Sequence, residues 1–456
     1  MLFSTFQFIV GFLPIALAGY WLLAHRTGPR LWFLLIASLV FYSYWDWRYT
    51  PLLIGSIVVN WLAAEAFFNY RRRAILIAAI VADLVCLGVF KYLGFFETIL
   101  FDSTGWNPSI ARLALPLGIS FFTFHHIIYL VDLLRGRAPR YLFRDYALYI
   151  ALFPQILAGP LVRHREIVPQ LPLPPLRDGW EERIARGLAL FVIGLAKKLL
   201  LADEIALAVD PIFLAATAAG SITVGSGWTA TLGFALQVYF DFSAYSDMAI
   251  GLALLFGYTL PYNFDVPYRS TSMHHLWRHW HMTLLRFLRD YLFMPLAGSR
   301  PGLYRHIWAM MATMVLSGLW HGAGWTFVLW GTVHGIAMSV EVAWRHWRLP
   351  SPPAALGWVL TITFWTLAAV LFRASTLDVA INVFKAMLGH GPAGPLSAWP
   401  LLLIAAAVAM IGPSSQAFAE RLRPWRWFAP IAAAVTMAVI LAVGDRPSYE
   451  FIYFHF

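Results

Sequence analysis

Apolar segments long enough to cross a lipid bilayer recur along this chain, and they restrict the folds open to it. A bilayer leaves backbone amide groups without water partners, so a spanning segment must be a helix or part of a closed barrel. Only 12% of the 456 residues are charged, against about 25% in soluble domains. The sequence therefore predicts an all-α polytopic membrane protein. Windows near the roughly 20 residues that span a bilayer cover 3–24, 31–45, 50–68, 74–93, 113–134, 187–217, 228–257, 306–320, 324–344, 355–372, 398–412 and 427–443.

The positions of the arginines predict which loops face the cytoplasm. Arg26 and Arg30 follow the first window, Arg71–Arg73 follow the third, and several arginines from Arg135 to Arg144 follow the fifth. Cytoplasmic loops are enriched in Lys and Arg, so we expect these loops inside and the N-terminus outside. The net charge of +10 fits such loops. No nucleic-acid partner is expected, because the sequence contains no nucleic-acid-binding motif.

Two further segments, 146–160 and 276–298, are apolar but interrupted by polar residues or proline. We expect them to be short, tilted or re-entrant, which is possible where protein covers the backbone. No stretch of the sequence has the composition of a soluble domain. We therefore expect a single integral-membrane domain over 1–456, with its chemistry between about 115 and 345.

One histidine, His321, lies in a region that contains no Asp, Glu, Lys or Arg between Arg305 and Glu341. An ionisable group at membrane depth is costly when charged, so such groups generally have a function. Imidazole also titrates near neutral pH. The surrounding sequence SGLWHGAGW contains three glycines, which we expect to admit another helix or a substrate. A second histidine nearby, His334, has no motif around it and is interpreted as packing or capping.

A second group of histidines lies in the stretch Met273–Arg300. Read as one helix, it places His274, Arg278 and His281 on one face, with apolar residues over most of the remainder. This pattern fits a helix at the membrane interface or one that dips into the protein. It fits equally well an amphipathic helix at the cytoplasmic edge, whose charged groups reach the water.

A metal site is not expected. His275 and His279 have the i, i+4 spacing of two zinc ligands on a helix, but the carboxylate of H-E-x-x-H and a well-placed third ligand are missing. The single cysteine, Cys86, cannot form a disulfide within one chain or a zinc site by itself.

Two other groups of polar residues interrupt apolar sequence. Asp241 and Asp247 lie in a span-length run, so each needs a partner such as a basic residue or a backbone amide; we interpret both as structural. Arg163 lies in the proline-rich stretch Phe153–Leu171, which is expected to be a broken re-entrant element. Its guanidinium is suited to the phosphates of an acyl donor, or else it reflects membrane topology alone.

These residues suit one reaction class better than others. A neutral imidazole at membrane depth is suited to act as general base on a hydroxyl group. Attack of a hydroxyl on an acyl thioester needs such a base together with stabilisation of the developing oxyanion. The sequence has no G-x-S-x-G elbow and no P-loop, so a serine acyl-enzyme and an ATPase are unsupported. A transporter of polysaccharide or lipid and a structural scaffold for an export complex remain alternatives.

Five motifs together resemble the membrane-bound O-acyltransferase (MBOAT) family. The resemblance extends over essentially the whole chain and is greatest toward the bacterial branch that serves alginate O-acetylation, with the teichoic-acid D-alanyl transferases in a neighbouring branch. It implies a helical bundle of about 11–13 transmembrane helices, with re-entrant or interfacial helices around a central funnel or tunnel. The motifs are FPQILAGPLVRHREIVPQL, VYFDFSAYSDMAIG, PYNFDVPYRS, WHMTLLRFLRDYLFMPLAGSR and LWHGAGWTFVLWGTVHG.

The resemblance also implies the residues of the active site. The family histidine falls on His321, in LWHG, where it is expected to act as general base or to assist acyl relay. The second active-site position falls on His281, in WHMTL, where it is expected to orient the acyl carbonyl or stabilise developing charge. Lower-ranked pocket or substrate-binding positions are Trp320, Arg289, Asp290, Tyr291 and Arg163.

The implied activity is O-acyl transfer in the bacterial inner membrane. The acyl group, expected to be acetyl, would come from a cytosolic thioester such as acetyl-CoA, with no bound cofactor. The acceptor would be a hydroxyl of an extracytoplasmic polysaccharide, such as an alginate-like exopolysaccharide. Transfer would be direct or would pass through a periplasmic acetyltransferase or polysaccharide-modification complex. Membrane lipid is the other expected partner, and D-alanyl transfer to a cell-wall polymer is an alternative.

Overall fold

The computed structural model describes residues 1–106, 114–218, 222–423, 428–443 and 451–452. These residues form helices joined mostly by short loops, and they contain no β-strand. Short π- or 3₁₀-helical segments extend several of the helices. The α-helices are α1 (Leu13–Leu22), α2 (Thr27–Ser43), α3 (Thr50–Tyr70), α4 (Arg73–Thr104), α5 (Ile119–Leu134), α6 (Phe143–Ala151), α7 (Phe153–Ile156), α8 (His164–Ile167), α9 (Trp180–Ala196), α10 (Asp203–Ala215), α11 (Val224–Leu255), α12 (Met273–His279), α13 (Met282–Phe287), α14 (Met294–Ala297), α15 (Leu303–His321), α16 (Trp325–His346), α17 (Ala354–Arg373), α18 (Leu377–Lys385), α19 (Trp399–Met410), α20 (Ser415–Arg421) and α21 (Phe428–Val443).

Several helices have the length and composition of membrane spans, as expected for an all-α polytopic membrane protein. Among the described residues four helices qualify, namely α3 with the turn before it, α4, α16 and α17. A fifth span results if α19 and α20, which are bent by 57°, cross together. Other predicted windows contain shorter or divided helices; 187–217, for example, holds α9 and α10 with a π-helical segment between them. The larger predicted number of spans stays a prediction.

Contacts between residues divide the chain into two compact units, each assembled from three separate segments. Three of the five boundaries between the units fall inside α9, α11 and α21, so both units contain parts of these helices. The other two fall after Pro261 and before Arg421, the last residue of α20. The single domain over 1–456 stays a prediction. Unit 1 comprises Met1–Val192, Ser246–Pro261 and Arg421–Thr436, and unit 2 comprises Ile193–Tyr245, Tyr262–Glu420 and Met437–Phe456.

A buried arginine joins distant parts of unit 1. Arg30, at the start of α2, has no exposed surface. Its guanidinium donates hydrogen bonds of 2.9–3.0 Å to the carbonyl oxygens of Ala24, Leu171 and Leu173, and it lies over the ring of Tyr20. Buried charges need such partners. Arg30 was expected only as a marker of a cytoplasmic loop, and the structure shows that it also ties that loop to residues 171–173.

The segment predicted to be re-entrant is broken, as expected. α6 ends at Ala151, α7 is a single turn, and the chain from Leu157 to Arg163 is not helical. The short α8 that follows begins with His164, whose Nε2 lies 3.2 Å from Asp132 Oδ2 and whose Nδ1 lies 2.9 Å from the hydroxyl of Tyr141. His164 and Asp132 therefore form a buried hydrogen bond within unit 1.

Unit 2 contains one large hydrophobic cluster, built mainly from α10, α11, α12 and α15–α19. Its interior is rich in aromatic rings, including Trp277, Trp280, Trp330 and Trp365. The four tryptophans lie near the two histidines that the sequence singled out. The same unit also contains a buried ion pair between Lys198 and Asp241.

Candidate active site

His321 is the last residue of α15 and is only 4% exposed. The helix ends there because the next residue, Gly322, has extended backbone, and a link of three residues leads into α16. The C-terminus of a helix carries partial negative charge, which stabilises a positive charge on an imidazole. The position therefore favours a histidine that accepts a proton.

Glycines near His321 allow α15 and α16 to pack as a tight hairpin. A Cβ atom on Gly318 would clash with the carbonyl oxygen of Phe327, and one on Gly322 would clash with the Phe327 ring. A Cβ atom on Gly324 would meet nothing closer than 3.8 Å. Of the two roles predicted for these glycines, the structure supports helix packing for Gly318 and Gly322.

A cavity lies beside His321 within unit 2. Its empty space, counting the part open to solvent, is about 350 Å³. Its wall is apolar apart from the imidazole and the indole nitrogens. Such a cavity suits a short, uncharged group held next to a base. The lining residues are Phe234, Val238, Trp280, His321, Trp330, Trp365, Ala369 and Phe372.

Aromatic rings hold the imidazole of His321 in place. Its ring centroid lies 5.2 Å from that of Trp330 and 5.0 Å from that of Phe372, both edge to face. Trp320, the residue before it, also contacts the imidazole edge to face, at 4.7 Å. Edge-to-face contacts of this kind restrict ring orientation. The imidazole is therefore fixed at the cavity wall.

His281 lies at a break between two short helices. α12 ends at His279, Trp280 is extended, and His281 has left-handed backbone (φ 42°, ψ 50°) before α13 begins. A left-handed conformation is uncommon outside glycine and often marks a functional position. The single helix predicted over Met273–Arg300 is therefore wrong, and His281 does not share a helical face with the residues of α12.

Hydrogen bonds fix the tautomer of His281. The Oδ1 atom of Asn263 lies 3.0 Å from His281 Nδ1 and accepts hydrogen bonds from the backbone N–H and the hydroxyl of Thr283. The N–H of Thr283 can only donate, so the Asn263 atom must be the oxygen and His281 Nδ1 must carry the hydrogen. Nε2 then presents a lone pair, and within the described residues it has no hydrogen-bond partner.

Burial keeps this imidazole neutral. His281 is 1% exposed and belongs to a segment outside the candidate membrane spans. Removal from water disfavours the charged form and lowers the pKa of His281 to about 3. Such an imidazole is a weak base, and its neutral Nε2 lone pair accepts a hydrogen bond but cannot donate one to a carbonyl oxygen. The predicted role of His281, orienting the acyl carbonyl or stabilising developing charge, stays a prediction.

The structure connects the two histidines through aromatic rings. Trp280, which immediately precedes His281, lines the same cavity as His321. The Trp280 ring packs against that of Trp365, another lining residue, with centroids 4.6 Å apart. The imidazole of His281 contacts the ring of Phe242, with centroids 4.6 Å apart. His321 thus lines the cavity directly, whereas His281 follows the lining residue Trp280 in sequence and is absent from the described lining.

The lower-ranked positions occupy different surroundings. Arg289 is largely exposed and pairs with Asp290 through a 2.7 Å hydrogen bond. Tyr291 stacks on Phe287, with centroids 5.3 Å apart. These three residues lie on a π-helical segment that leads into α14 and are absent from the described cavity lining. Arg163 belongs to unit 1, where its backbone N–H donates to Glu166.

The pair His275 and His279 has local hydrogen-bonding roles. His275 Nδ1 lies 3.0 Å from the hydroxyl of Ser270, and His279 Nδ1 lies 2.8 Å from the carbonyl oxygen of His275. Over the ranges that the structure describes, no group of three metal-ligating side chains comes together. Both histidines therefore have hydrogen-bond partners close to them in sequence.

Sequence reasoning missed most of the cavity. Asn263 lies in a proline-flanked loop 18 residues before His281, and no local pattern pairs these two residues. Trp330, Trp365 and Phe372 come from α16 and α17 and look like ordinary apolar residues of membrane spans. Only their convergence in the folded chain identifies them.

Comparison with known proteins identifies the family of this chain. The model of the MBOAT, membrane-bound O-acyltransferase family, matches residues 110–377. Peptidoglycan O-acetyltransferase of Helicobacter pylori is 40% identical over 85% of this chain and 80% of its own length. Probable alginate O-acetylase AlgI of Pseudomonas aeruginosa is 38% identical over 86% of this chain and 75% of its own. Teichoic acid D-alanyltransferase of Lacticaseibacillus rhamnosus is 23% identical over 75% and 85%. The chain belongs to the membrane-bound O-acyltransferase family.

Proposed function

We propose that this O-acyltransferase moves acetyl groups from a cytosolic thioester, such as acetyl-CoA, to hydroxyls of an extracytoplasmic polysaccharide or peptidoglycan. The observation that carries the proposal is the buried imidazole of His321 in the wall of an apolar cavity. The names of the similar proteins at 38–40% identity support acetyl transfer to a cell-envelope glycan. An acceptor outside and a donor inside correspond to a bacterial inner-membrane location.

The cavity favours acetyl over D-alanyl as the transferred group. A D-alanyl thioester carries an ammonium group, which needs hydrogen-bond acceptors or a carboxylate when it is buried. The described lining contains seven apolar or aromatic residues and one histidine, and no carboxylate. The D-alanyltransferases are also the more distant relatives, at 23–26% identity.

The geometry supports a direct acyl transfer with base assistance. The acceptor oxygen attacks the thioester carbonyl carbon, a new C–O bond forms, and the C–S bond breaks. His321 takes the hydroxyl proton as general base, and the position at the C-terminus of α15 stabilises the imidazolium. The proton then passes to the departing thiolate, which leaves as a free thiol and restores the neutral imidazole.

His281 contributes a hydrogen-bond acceptor that orients the attacking hydroxyl in this proposal. Its Nδ1–H is held by Asn263 and its Nε2 lone pair is available. A hydrogen bond on one ring nitrogen therefore orients the other, with an amide oxygen as the orienting group. A periplasmic acetyltransferase or polysaccharide-modification complex that receives the acetyl group is a compatible extension.

Replacement of His321 tests the proposal. We expect His321→Ala to reduce the O-acetyl content of exported glycan by about 100-fold or more, because the general base is lost. The matched control is His275→Ala, which removes a histidine outside the cavity lining. Both variants are compared at equal amounts in the membrane fraction. Normal acetylation by His321→Ala at wild-type abundance would contradict the proposal.

A further inference from the structure

Two residues near the end of the chain are held inside unit 2. Phe451 is 1% exposed and Ile452 is 6% exposed. We call these two residues the tail segment (Phe451–Ile452). The tail segment contacts α11, near the part of that helix that packs against His281.

The first contact is a charge-assisted hydrogen bond. The backbone N–H of Ile452 donates to Asp241 Oδ2 at 2.7 Å. The other oxygen of Asp241 pairs with Lys198 Nζ at 2.7 Å, and Lys198 also pairs with Asp203 at 2.8 Å. The Asp241 and Lys198 side chains are 4–5% exposed. These contacts confirm the prediction that Asp241 needs a basic residue or a backbone amide as partner, and it has one of each.

The charges of this group explain why a backbone N–H is needed. Two carboxylates share one ammonium group, so Lys198 alone leaves an excess of negative charge in a buried site. A buried carboxylate oxygen without a donor is costly, and hydrogen bonds to charged groups are among the strongest in proteins. The N–H of Ile452 is the donor that completes the described surroundings of Asp241.

The second contact leads to His281 through one ring. Phe451 stacks on Tyr245, with centroids 4.7 Å apart, and packs against Phe242 at 5.5 Å. The ring of Phe242 contacts the imidazole of His281 edge to face at 4.6 Å. Phe242 is therefore packed between the tail segment and the imidazole.

We propose that the tail segment is a positioning element for His281, clamped by Asp241 and acting through the ring of Phe242. Asn263 fixes one edge of the imidazole by a hydrogen bond, and Phe242 fixes its face by packing. Release of the tail segment removes the support behind Phe242 and lets the imidazole turn and water enter. The catalytic importance of His281 rests on the proposed function, whereas its burial by the tail segment does not.

The test compares Ile452→Pro with Ile452→Val in the full chain. Proline has no backbone N–H, so the first variant loses the hydrogen bond to Asp241, whereas valine keeps the donor and a similar shape. The assay is release of free thiol from acetyl-CoA by purified protein with alginate or peptidoglycan fragments supplied as hydroxyl acceptors. We expect the proline variant to have a kcat about tenfold or more below that of the valine variant, because misplacement of a catalytic group is costly.

Two further readouts separate positioning from general damage. The KM for acetyl-CoA should differ by less than about twofold, since donor binding is retained. Modification of His281 by diethyl pyrocarbonate, located by peptide mass spectrometry, should be faster in the proline variant because the imidazole becomes exposed. Equal kcat and equal His281 reactivity in the two folded variants would overturn the inference.

A second pair of variants covers a proline variant that does not fold. Phe451→Ala removes the ring behind Phe242, and Phe451→Leu keeps most of its volume. We expect lower kcat and faster His281 modification in the alanine variant; no difference between the two would also overturn the inference. If wild-type protein releases no thiol from acetyl-CoA, the proposed function fails, and His281 reactivity alone decides the role of the tail segment.

Discussion

At the scale of single residues, a shared amide oxygen defines the chemistry of His281. Asn263 accepts from His281 and from the backbone N–H of Thr283, which settles both the amide orientation and the imidazole tautomer. The result is a neutral ring with a lone pair at a buried nitrogen. A histidine motif alone does not distinguish this arrangement from an imidazolium that donates hydrogen bonds.

Burial of neutral His281 predicts a pH-dependent stability. The pKa of His281 is about 3 in the folded protein and 6.5 in its ordinary state, so unfolding takes up a proton between these values. Its contribution is present above pH 6.5 and is lost as pH falls toward 3. We expect wild-type stability, relative to His281→Gln, to decrease by up to about 1.4 kcal/mol per pH unit below pH 6.5.

The comparison with His281→Gln removes the effects of other titrating groups. Glutamine does not titrate. Thermal unfolding of both proteins in detergent, from pH 7.5 to pH 4.5, measures the difference. A difference in stability that stays constant over this range would show that His281 is not buried in its neutral form.

Sequence reasoning at this scale succeeded for one histidine and was incomplete for the other. His321 was identified because an ionisable group in uncharged apolar sequence is conspicuous. His281 was identified through the family resemblance, but its backbone conformation was not anticipated. The helix breaks at Trp280 and His281, and neither residue is a typical helix breaker such as glycine or proline. The local sequence therefore gave no sign of the break.

At the scale of helices, the hairpin of α15 and α16 sets the position of His321. Gly318 on α15 faces the carbonyl oxygen of Phe327 on α16, and Gly331 on α16 faces that of Met314 on α15. Small residues at such crossings let helices approach closely in membranes. His321 at the end of α15 and Trp330 on α16 both line the cavity, so its shape depends on this close approach.

Enlarging Gly318 should separate the two helices. We expect Gly318→Ala to destabilise the protein by about 1–3 kcal/mol, as overpacking does, and to lower acetyl transfer because His321 moves away from the cavity wall. The control is Gly324→Ala, where an added Cβ has nothing closer than 3.8 Å. Thermal unfolding and thiol release from acetyl-CoA measure the two effects. Equal stability and activity of the two variants would contradict the tight-hairpin explanation.

At the scale of the whole molecule, the thickness of the membrane can be compared with the length of a helix. α4 has 32 residues, which at about 1.5 Å per residue gives a length near 48 Å. The hydrocarbon core is about 30 Å thick. The helix is therefore long enough to place its two ends on opposite sides of the membrane, and the arginines at its start predict that this end is cytoplasmic.

Cysteine labelling tests this orientation. The only native cysteine, Cys86, can be replaced by alanine to provide a background without thiols. In intact cells with a permeabilised outer membrane, we expect a membrane-impermeant maleimide to label Ser103→Cys and not Arg72→Cys, with both labelled after lysis. Both positions are exposed in the structure. Labelling of both cysteines from outside would contradict the predicted topology.

The sequence by itself determined the class of fold, the family and the candidate base. These depend on composition, on apolar length and on a lone ionisable group, all of which are local properties of the chain. Only the tertiary structure decided the cavity, the tautomer of His281 and the clamped tail segment. Trp365 and Phe372 reach the cavity, and Ile452 reaches Asp241, across 44 to more than 200 positions of sequence. Contacts over such separations arise from packing, which no local pattern records.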